Sequence, residues 1–496
     1  MRILFIRPPY TRLRDSGQLP YFPLGIGYLA SASKDLGHDV RILNLDNPSP
    51  SENLYFHKKD VFYSRKQAQE RYWESVRDDS LPVWKELREV LAAFNPEIIG
   101  ISILTPEVAS SVKVTKICKE MLPEVFVIWG GVHPTYEDKS SLDFAGVDVV
   151  ARGEGESIFL NIAHALSEDR CWKGLPGISY KTNNEFVRNQ DACLIENLDE
   201  LKNPLRSELY FPERMHPLAH GSIITARGCP WRCAFCTSRD FWKGKVRFRS
   251  AKNVVSEIKE IKEKYKIKVF TFWDDTFTIK KEFVENFVEE ILAQKVDIMW
   301  RTATRADVLD EQLARKLRKA GCIHLELGLE SGSERMLKII KKDIDLKMVR
   351  EGLKIIRNAD IRSGVFLMTG FPEEIREDIE ETRKYLSTIE PDEIVLNIFD
   401  PMPGSELFKT CRDMGLLPDP VDWEHFPLWP LKHYAPYIPE ETFRIMVLEL
   451  AEHIFQYNRK FSNLMHDFYM KIPMLLGDPV GTARLLRRKF RRKFLS

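Results

Sequence analysis

Residues 226–236 read ARGCPWRCAFC, and this stretch decides how the chain is interpreted. Its cysteines, Cys229, Cys233 and Cys236, follow the spacing C-x3-C-x2-C and supply three thiolates from one short loop. Thiolates hold iron–sulfur clusters, and a cubane cluster has four irons to ligate. Three protein ligands therefore leave one iron open for a further ligand.

Two plainer interpretations of this loop stay open, a zinc site and a purely structural role. Structural zinc takes four ligands, usually as two separated pairs. The nearest candidates, His216 and His220, lie upstream at no familiar zinc spacing. Chance is a poor explanation for three clustered cysteines, because the chain has only 8 in 496 residues. The cluster is therefore the favoured hypothesis.

The spacing, with the aromatic Phe235 directly before the last cysteine, resembles the signature of the radical S-adenosylmethionine (SAM) enzymes. In that family the amino and carboxylate groups of SAM chelate the open iron. The resemblance implies that Cys229, Cys233 and Cys236 bind a [4Fe-4S] cluster and that Phe235 lies at the cofactor site.

The composition favours a soluble, cytoplasmic enzyme. The chain is 44% hydrophobic, and its net charge of +1 argues against binding nucleic acid. The other cysteines are scattered singly, unlike a secreted disulfide framework. The apolar run at the N-terminus is too short for a signal peptide. No stretch approaches the ~20 apolar residues of a membrane span.

Short apolar segments alternate with helical patterns in the first third of the chain. This alternation favours an open, mostly parallel sheet with helices on both faces, and so a Rossmann-like α/β domain over residues 1–165. Ligands of such sheets bind beyond the carboxyl ends of the strands. The predicted strands are Ile3–Ile6, Asp39–Leu43, Ile98–Ile103, Val125–Trp129 and Val147–Val150.

The loops after these strands carry glycines, hydroxyls and a carboxylate. Glycine lets a backbone approach a bulky ligand closely, and hydroxyls supply hydrogen bonds. Each feature alone is weak, because a double glycine after a strand is more often only a tight turn. Together, and upstream of the cysteine motif, they resemble the cobalamin-binding domain of cobalamin-dependent radical SAM enzymes. The cobalamin contacts that this resemblance implies are Ser102, Thr105, Gly130, Gly131, His133 and Glu154.

One missing pattern refines the cobalamin hypothesis. Many cobalamin proteins ligate cobalt through the histidine of D-x-H-x-x-G, but none of the 11 histidines here follows an aspartate at that spacing. The radical SAM branch generally lacks the motif, so the resemblance implies cobalamin without a histidine beneath the cobalt. His133 suits a loop-shaping or hydrogen-bonding role better than cobalt ligation, which stays the alternative.

Two segments interrupt the pattern. Residues 45–82 form a polar insertion with Tyr55, Phe56, Tyr63, Tyr72 and Trp73, interpreted as a peripheral helix or as a lid. Residues 166–215 read as a linker with a small hairpin at Gly177–Val187.

Six strand–helix units follow the linker and predict a (β/α)6 partial TIM barrel over residues 216–410. Active sites of such barrels lie at the carboxyl ends of the strands. SAM carries a sulfonium, an ammonium, a carboxylate and ribose hydroxyls, so its site needs carboxylates, hydroxyls and a cation. The strand-end residues that fit are Asp274, Arg305, Glu330 and Ser331, and the resemblance favours the last two. Asp274 equally fits a turn or helix cap.

Residues 411–496 predict a helical C-terminal domain with aromatics such as Trp423 and Trp429. The chain ends in basic residues interleaved with Leu and Phe at 484–495. This end fits a solvated terminus, and it also fits peripheral contact with the inner surface of an anionic membrane. Membrane contact would favour a lipid-like or porphyrin-like substrate over another small molecule.

The resemblance as a whole implies a cobalamin-dependent radical SAM enzyme. A reduced cluster would cleave SAM to a 5′-deoxyadenosyl radical, and methylcobalamin would then methylate an unactivated carbon of the substrate. A flavodoxin- or ferredoxin-type protein would donate the electron. One alternative keeps both cofactors but performs cyclisation or oxidation, as in anaerobic porphyrin ring closure. Another is a cobalamin-binding sensor or redox protein with a structural cluster.

Overall fold

The computed structural model describes residues 1–14, 21–47, 61–428 and 431–460, with Asn463 and Met465, and at 61–64 only the backbone. It divides into two compact units. The first comprises Met1–Ala219 and Pro418–Pro427, and the second His220–Leu417 and Leu428–Ser496.

The first unit is built on a seven-stranded sheet in the order β2-β1-β3-β4-β5-β6-β7. Its strands are β1 (Arg2–Arg7), β2 (Asp39–Asn44), β3 (Ile98–Ser102), β4 (Phe126–Gly130), β5 (Val149–Ala151), β6 (Ile178–Thr182) and β7 (Glu185–Arg188). The first five are parallel to one another. The apolar run Ile3–Ile6 is fully buried, as a strand covered on both faces requires. The predicted Rossmann-like α/β fold is confirmed.

Seven helices surround this sheet among the described residues. They are α1 (Leu24–Asp35), α2 (Val61–Arg77), α3 (Pro82–Phe94), α4 (Val108–Met121), α5 (Val132–Tyr136), α6 (Asp138–Ser141) and α7 (Gly155–Ser167). The insertion contributes α2, which packs on the core because buried Tyr72 accepts a hydrogen bond from the Ser110 amide at 3.0 Å. Tyr55 and Phe56 lie outside the described residues, as does the Tyr63 side chain.

The structure differs from the predicted linker over residues 166–215. The hairpin predicted there forms as β6 and β7, but β6 pairs antiparallel with β5 and so extends the first sheet. Gly177 permits this junction, because its φ is +81° and a Cβ there would lie 2.6 Å from the Ile158 side chain. Sequence reasoning missed the pairing because nothing local marks which sheet a hairpin joins.

The second unit holds a six-stranded parallel sheet in the order β15-β14-β13-β12-β11-β8. A separate antiparallel pair, β9 and β10, flanks the cysteine loop. The strands are β8 (Ser222–Ile223), β9 (Ala226–Arg227), β10 (Arg247–Phe248), β11 (Val269–Phe272), β12 (Met299–Thr304), β13 (Cys322–Glu330), β14 (Arg362–Thr369) and β15 (Glu393–Ile398). The predicted (β/α)6 partial barrel is confirmed.

Helices cover one face of this sheet. They are α8 (Ser238–Phe241), α9 (Ala251–Tyr265), α10 (Lys281–Ala293), α11 (Glu311–Lys319), α12 (Glu334–Ile339), α13 (Leu346–Asn358), α14 (Arg376–Leu386), α15 (Glu406–Asp413) and α16 (Glu440–Asn458). Phe287 of α10 packs against Phe272 and Trp300, with ring centroids 5.6 and 5.8 Å away. Successive residues of a strand point to opposite faces of the sheet. Thr271 adjoins Phe272 in the sequence and Arg301 adjoins Trp300, so both side chains face away from the helices.

Over the described residues between 411 and 460, the structure does not show the separate helical domain predicted over 411–496, because they are divided between the two units. Residues Pro418–Pro427 belong to the first unit. Helix α16 instead closes the second sheet, where the Asn458 side chain bonds both backbone groups of Ile394 at 2.9 and 2.8 Å. Trp429 and the basic stretch 484–495 lie outside the described residues. None of the helices described has the length and apolar character needed to cross a bilayer.

Candidate functional site

The cysteine loop is fixed by its backbone. Gly228, just before the first cysteine, has φ +108°, and a Cβ there would lie 2.0 Å from the Lys245 carbonyl oxygen. At the centre of the loop, the Ala234 amide donates to the Ile340 carbonyl at 2.8 Å. The Ala234 carbonyl in turn accepts from the Leu407 amide at 2.9 Å. The loop is therefore held in place before any ligand binds.

Arg305 fastens the loop through a buried guanidinium. It donates to both carboxylate oxygens of Asp307 at 2.9 and 3.0 Å. It also donates to the carbonyls of Lys342 and Asp343, each at 3.0 Å. The ring of Trp231, inside the cysteine loop, lies 4.2 Å from the Arg305 Cζ atom. The structure thus gives Arg305 a positioning role, and the direct SAM contact expected of it stays a prediction.

A buried ion pair borders the loop at the carboxyl end of β13. Glu330, in the left-handed region with φ +68°, accepts from Lys342 Nζ at 2.8 Å. The Lys342 ammonium lies 5.9 Å from the centre of the Phe235 ring. Gly328 makes room for the pair, because a Cβ there would lie 2.6 Å from Glu330 Oε1. Sequence reasoning identified Glu330 and Phe235 but missed Lys342, whose place depends on the turn after α12.

The three thiols are partly withdrawn from water. Burial raises the pKa of Cys229 to about 11 and that of Cys236 to about 12, and it also raises the pKa of Cys233. Bound metal reverses this preference, because a coordinating thiol is deprotonated outright. In the part of the chain that is described, no three His, Cys, Asp or Glu side chains converge on a single-metal position. A cubane needs no such convergence, because each thiolate binds a different iron.

Asp274 holds the strand that leads into the cysteine loop. Its carboxylate accepts from the amides of Thr225 and Ala226, each at 2.7 Å, and from the Thr225 hydroxyl at 2.8 Å. Burial raises the pKa of Asp274 to about 6. Its neighbour Asp275 accepts from the Ser238 hydroxyl at 2.5 Å, while the Ser238 amide donates to Cys236 Sγ at 3.4 Å. Asp274 therefore joins two strand ends, and SAM contact by it stays a prediction.

Ser331 faces into the packing of the turn after β13. Its hydroxyl lies 3.2 Å from the Thr382 hydroxyl and accepts from the Ser333 amide at 3.1 Å. Ser333 then caps α12 by accepting from the Met336 amide. Of the two residues favoured for SAM, Glu330 borders the cysteine loop, whereas Ser331 orders the turn behind it.

The two histidines considered for zinc have other surroundings. His220 stacks on Tyr265 with ring centroids 3.9 Å apart, at the amino end of β8 rather than at its carboxyl end, where the cysteine loop follows. His216 Nδ1 accepts from the Leu218 amide at 3.2 Å within a turn of the first unit.

In the first unit, the loops after β3, β4 and β5 are tied together. His133 Nδ1 lies 3.2 Å from the Thr105 hydroxyl and joins the first two loops. Thr135 joins the second and third, because its hydroxyl donates to the Gly131 carbonyl at 2.7 Å and accepts from the Gly153 amide at 2.9 Å. At Gly153, with φ +88°, a Cβ would meet nothing within 4 Å. The loops thus form a braced edge with open space above Gly153.

Gly131 is required where two of these loops meet. Its φ is +104°, and a Cβ there would lie 2.8 Å from the Ile103 carbonyl oxygen and 3.3 Å from Ser102 Oγ. At Gly130 a Cβ would make only ordinary contacts. Glu154 is buried and accepts from the Ile195 amide at 2.7 Å, which anchors the segment after β7. Cobalamin contacts by Ser102, Gly130 and Glu154 stay predictions.

His133 is fully buried beneath the segment Pro418–Pro427. Its ring meets Trp423 edge to face, with centroids 4.9 Å apart at 75°. Burial lowers the pKa of His133 to about 3, so the ring is neutral at physiological pH. Among the described residues, Nε2 has no hydrogen-bond partner. The residue braces the loops and Trp423 covers it, and cobalamin contact by His133 stays a prediction.

Sequence reasoning missed a buried pair at the carboxyl edge of the first sheet. Arg7, at the end of β1, pairs with Glu107, whose carboxylate also accepts from the Leu104 amide at 2.9 Å. Burial raises the pKa of Glu107 to about 7. Arg7 also donates to the Tyr21 hydroxyl at 2.5 Å. The sequence did carry a signal for this pair, because Arg7 is a charged residue at the end of the apolar run Ile3–Ile6.

Comparison with known families matches each unit separately. Residues 223–386 match the radical SAM superfamily, and residues 13–163 match the B12 binding domain. The first match lies within the six-stranded unit and includes the cysteine loop. The second lies within the Rossmann-like unit and includes the braced loops.

Two relatives match over most of their length. An uncharacterized methyltransferase of Pyrococcus horikoshii is 29% identical, over 88% of this chain and 89% of its own. The anaerobic magnesium-protoporphyrin IX monomethyl ester cyclase of Rubrivivax gelatinosus is 30% identical, over 83% of this chain and 70% of its own. The solved structure of TsrM, a radical SAM methyltransferase from Kitasatospora setae, has the same fold at 17% identity, with a TM-score of 0.65 over 83% of this chain and 75% of its own.

Proposed function

This chain belongs to the cobalamin-dependent radical SAM family of enzymes, and we propose that it methylates an unactivated carbon of a small-molecule or lipid-like substrate. The main support for this proposal is that one chain matches both the radical SAM superfamily and the B12 binding domain. The relative from Pyrococcus horikoshii, which aligns almost end to end, is described as a methyltransferase. The longer alignment with this relative, over 88% of this chain and 89% of its own, supports methyl transfer as the first candidate.

The chain's own residues suit the family's cofactors. Cys229, Cys233 and Cys236 would hold the [4Fe-4S] cluster, and the Glu330–Lys342 pair offers one charge of each sign to the amino-acid end of SAM. The braced loops around Gly131 would hold cobalamin. When bound, these cofactors supply one-electron cleavage of SAM, hydrogen abstraction and a methyl donor. The protein positions them and excludes water.

The test is anaerobic reconstitution with iron, sulfide and cobalamin, followed by incubation with methyl-labelled SAM. Dithionite replaces the flavodoxin- or ferredoxin-type donor that we expect in the cell. We expect 5′-deoxyadenosine together with transfer of the label to cobalamin. Cys233→Ala should abolish the deoxyadenosine, while Cys322→Ala, a buried cysteine outside the loop, should not. Loaded protein that forms neither product would instead support a cobalamin-binding sensor.

A second candidate is a cobalamin-dependent cyclase or oxidase, favoured by the 30% identity to the Rubrivivax gelatinosus cyclase. Such an enzyme would form 5′-deoxyadenosine and leave cobalamin unlabelled. Incubation with magnesium-protoporphyrin IX monomethyl ester, the compound in that relative's name, should then consume the porphyrin without adding labelled carbon. Labelled cobalamin with unchanged porphyrin would exclude this candidate.

A further inference from the structure

The face of the second sheet that points away from the helices is polar and open. It carries Thr271 and Trp273 from β11 and its end, Arg301 from β12 and Glu326 from β13. Closed barrels fill their interior with bulky branched side chains. Here the Arg301 side chain is 45% exposed, and Trp273 is 51% exposed. This inner face is therefore built to meet something other than the chain's own core.

Arg301 is oriented on this face but lightly engaged. Its Nε donates to the Thr271 hydroxyl at 3.2 Å. Its Nη1 lies 3.9 Å from Glu326 Oε1, beyond hydrogen-bond distance. The Nη groups, which complete the donor fork of the side chain, make no hydrogen bond to the described residues, so these donors are available to a ligand.

Three other cations near the inner face or the strand ends have closer charged or carbonyl partners than Arg301 has. Arg362 pairs with Glu393 at 2.8 Å, and only 16% of its side chain is exposed. Lys342 pairs with buried Glu330, and Arg305 makes four hydrogen bonds. Among these inner-face and strand-end cations, Arg301 therefore combines exposure with available donors.

An aromatic surface lies above Arg301 on the same face. Trp273 follows Thr271 by two residues, and two residues of a strand span about 7 Å. Since Thr271 is the register partner of Arg301, the indole lies about that far toward the carboxyl edge, where the cysteine loop begins. A flat or apolar body against Trp273 would place an anionic arm at Arg301.

We propose that Arg301 and Trp273 form a substrate subsite for an amphipathic molecule with a flat or apolar body and a carboxylate or phosphate on a short arm. The guanidinium fork suits both anions, because it donates two parallel hydrogen bonds to either. The Glu326 carboxylate, when ionised, repels an incoming anion. Burial raises the pKa of its carboxyl, however, which eases its protonation beside a second negative charge.

The experiment is equilibrium dialysis of the cluster- and cobalamin-loaded enzyme against three probes of one shape. They are 1-naphthaleneacetate, 1-naphthyl phosphate and the uncharged 1-naphthaleneacetamide. Wild type should bind both anions more tightly than the amide, and the stronger anion identifies the group on the arm. Arg301→Gln should weaken anion binding about tenfold and leave the amide unchanged, as expected for one charged hydrogen-bonding partner.

Matched variants make the result specific. Arg318→Gln, a surface arginine of α11 paired with Asp360, should change none of the three affinities. Trp273→Leu should weaken all three. Equal wild-type affinity for acid and amide, no binding of any probe, or anion binding unaffected by Arg301→Gln would each overturn the subsite.

The inference rests on the proposed radical SAM reaction in one respect, because only that reaction makes the bound molecule a substrate. Binding at Arg301 and Trp273 does not itself depend on the reaction. Dialysis needs no turnover, so its failure and that of the reaction are distinguishable. 5′-Deoxyadenosine from the same preparations reports on the reaction, and the preference for anions reports on Arg301.

Discussion

At Arg305, four hydrogen bonds and one aromatic contact converge on a single buried guanidinium. Lysine would keep the positive charge but lacks the planar fork that reaches Asp307 and two carbonyls at once. The Trp231 ring would also lose the flat surface on which it lies. The side chain is thus specified by its geometry rather than by its charge.

We therefore expect Arg305→Lys to loosen the cysteine loop and to lower cluster content after reconstitution. The charge stays, but lysine cannot make all four hydrogen bonds, and a lost hydrogen bond to a charged group costs about 1.5–3 kcal/mol. Iron and sulfide per chain, with absorption near the cluster band, measure the effect. Arg318→Lys, on the surface of α11, is the control and should match wild type. Full cluster content in Arg305→Lys would show that the loop does not depend on this clamp.

Sequence reasoning reached the strand-end residues but not their partners. It placed Asp274, Arg305, Glu330 and Ser331 at one end of the second sheet, because parallel strands present their carboxyl ends together. It could not see that Asp274 binds Thr225, 49 positions away, or that Ser331 faces Thr382, 51 positions away. Such pairs are set by packing between distant elements, for which spacing along the chain carries no signal.

At the scale of elements, the turn after β14 shows how a loop is fixed by one carboxyl group. Glu374 accepts from the Thr369 hydroxyl at 2.7 Å and from the Gly370 amide at 2.5 Å. The turn buries Phe371, whose ring lies 6.2 Å from that of Phe235 beside the last cysteine. Through this ring contact the turn supports the cysteine loop from behind.

The same carboxyl predicts a pH dependence of stability. Burial raises the pKa of Glu374 to about 7 from an ordinary value of 4.5. The folded state then holds this proton more tightly than the unfolded state, so stability falls as pH rises from about 4.5 to about 7. Glu374→Gln removes the ionisation, and we expect it to gain up to about 3 kcal/mol relative to wild type at pH 8.

Urea midpoints of both proteins at pH 5 and pH 8 measure this effect. The gap between variant and wild type should be larger at pH 8. Glu373→Gln, at the neighbouring exposed position, is the control and should show the same gap at both values. A Glu374→Gln gap independent of pH would contradict the assignment.

The segment Pro418–Pro427 makes a second prediction at this scale. Trp423 covers His133, so Trp423→Ala should destabilise the first unit by about 3–5 kcal/mol and open the ring to solvent. The pKa of His133 should then rise from about 3 toward its ordinary 6.5. Diethylpyrocarbonate labelling read by mass spectrometry should modify His133 in the variant and spare it in wild type. Tyr437→Ala, at an exposed aromatic, should leave His133 protected.

At the scale of the whole molecule, two sheets with separate cores predict independent loading of the two cofactors. Cys233→Ala should lose the cluster and keep cobalamin. Gly131→Ala should do the reverse, because its Cβ would lie 2.8 Å from the Ile103 carbonyl at φ +104°. Gly37→Ala, with φ +82° and open space around the Cβ, controls for backbone strain alone. Iron and cobalamin content per chain are the readouts, and joint loss in either variant would contradict independence.

The overall fold could be predicted because each half of the chain repeats one simple pattern. Apolar strands alternate with amphipathic helices, and this alternation alone selects parallel sheets. The unit boundaries could not be predicted. Residues 166–215 read as a linker because their strands are short and polar, and the return of 418–427 to the first unit has no local mark.

That return has a consequence for synthesis of the chain. Domains emerging from the ribosome generally fold as units, the N-terminal one first, while synthesis adds about 5–20 residues per second. The first unit here is a split one, since Trp423 leaves the ribosome roughly two hundred residues after Ala219. For a time on the order of tens of seconds, the growing chain therefore contains a first unit that lacks only its last segment. During this time Trp423 does not yet cover His133. Folding of the N-terminal unit can therefore finish only after residues 418–427, which are encoded late in the message, have been synthesised.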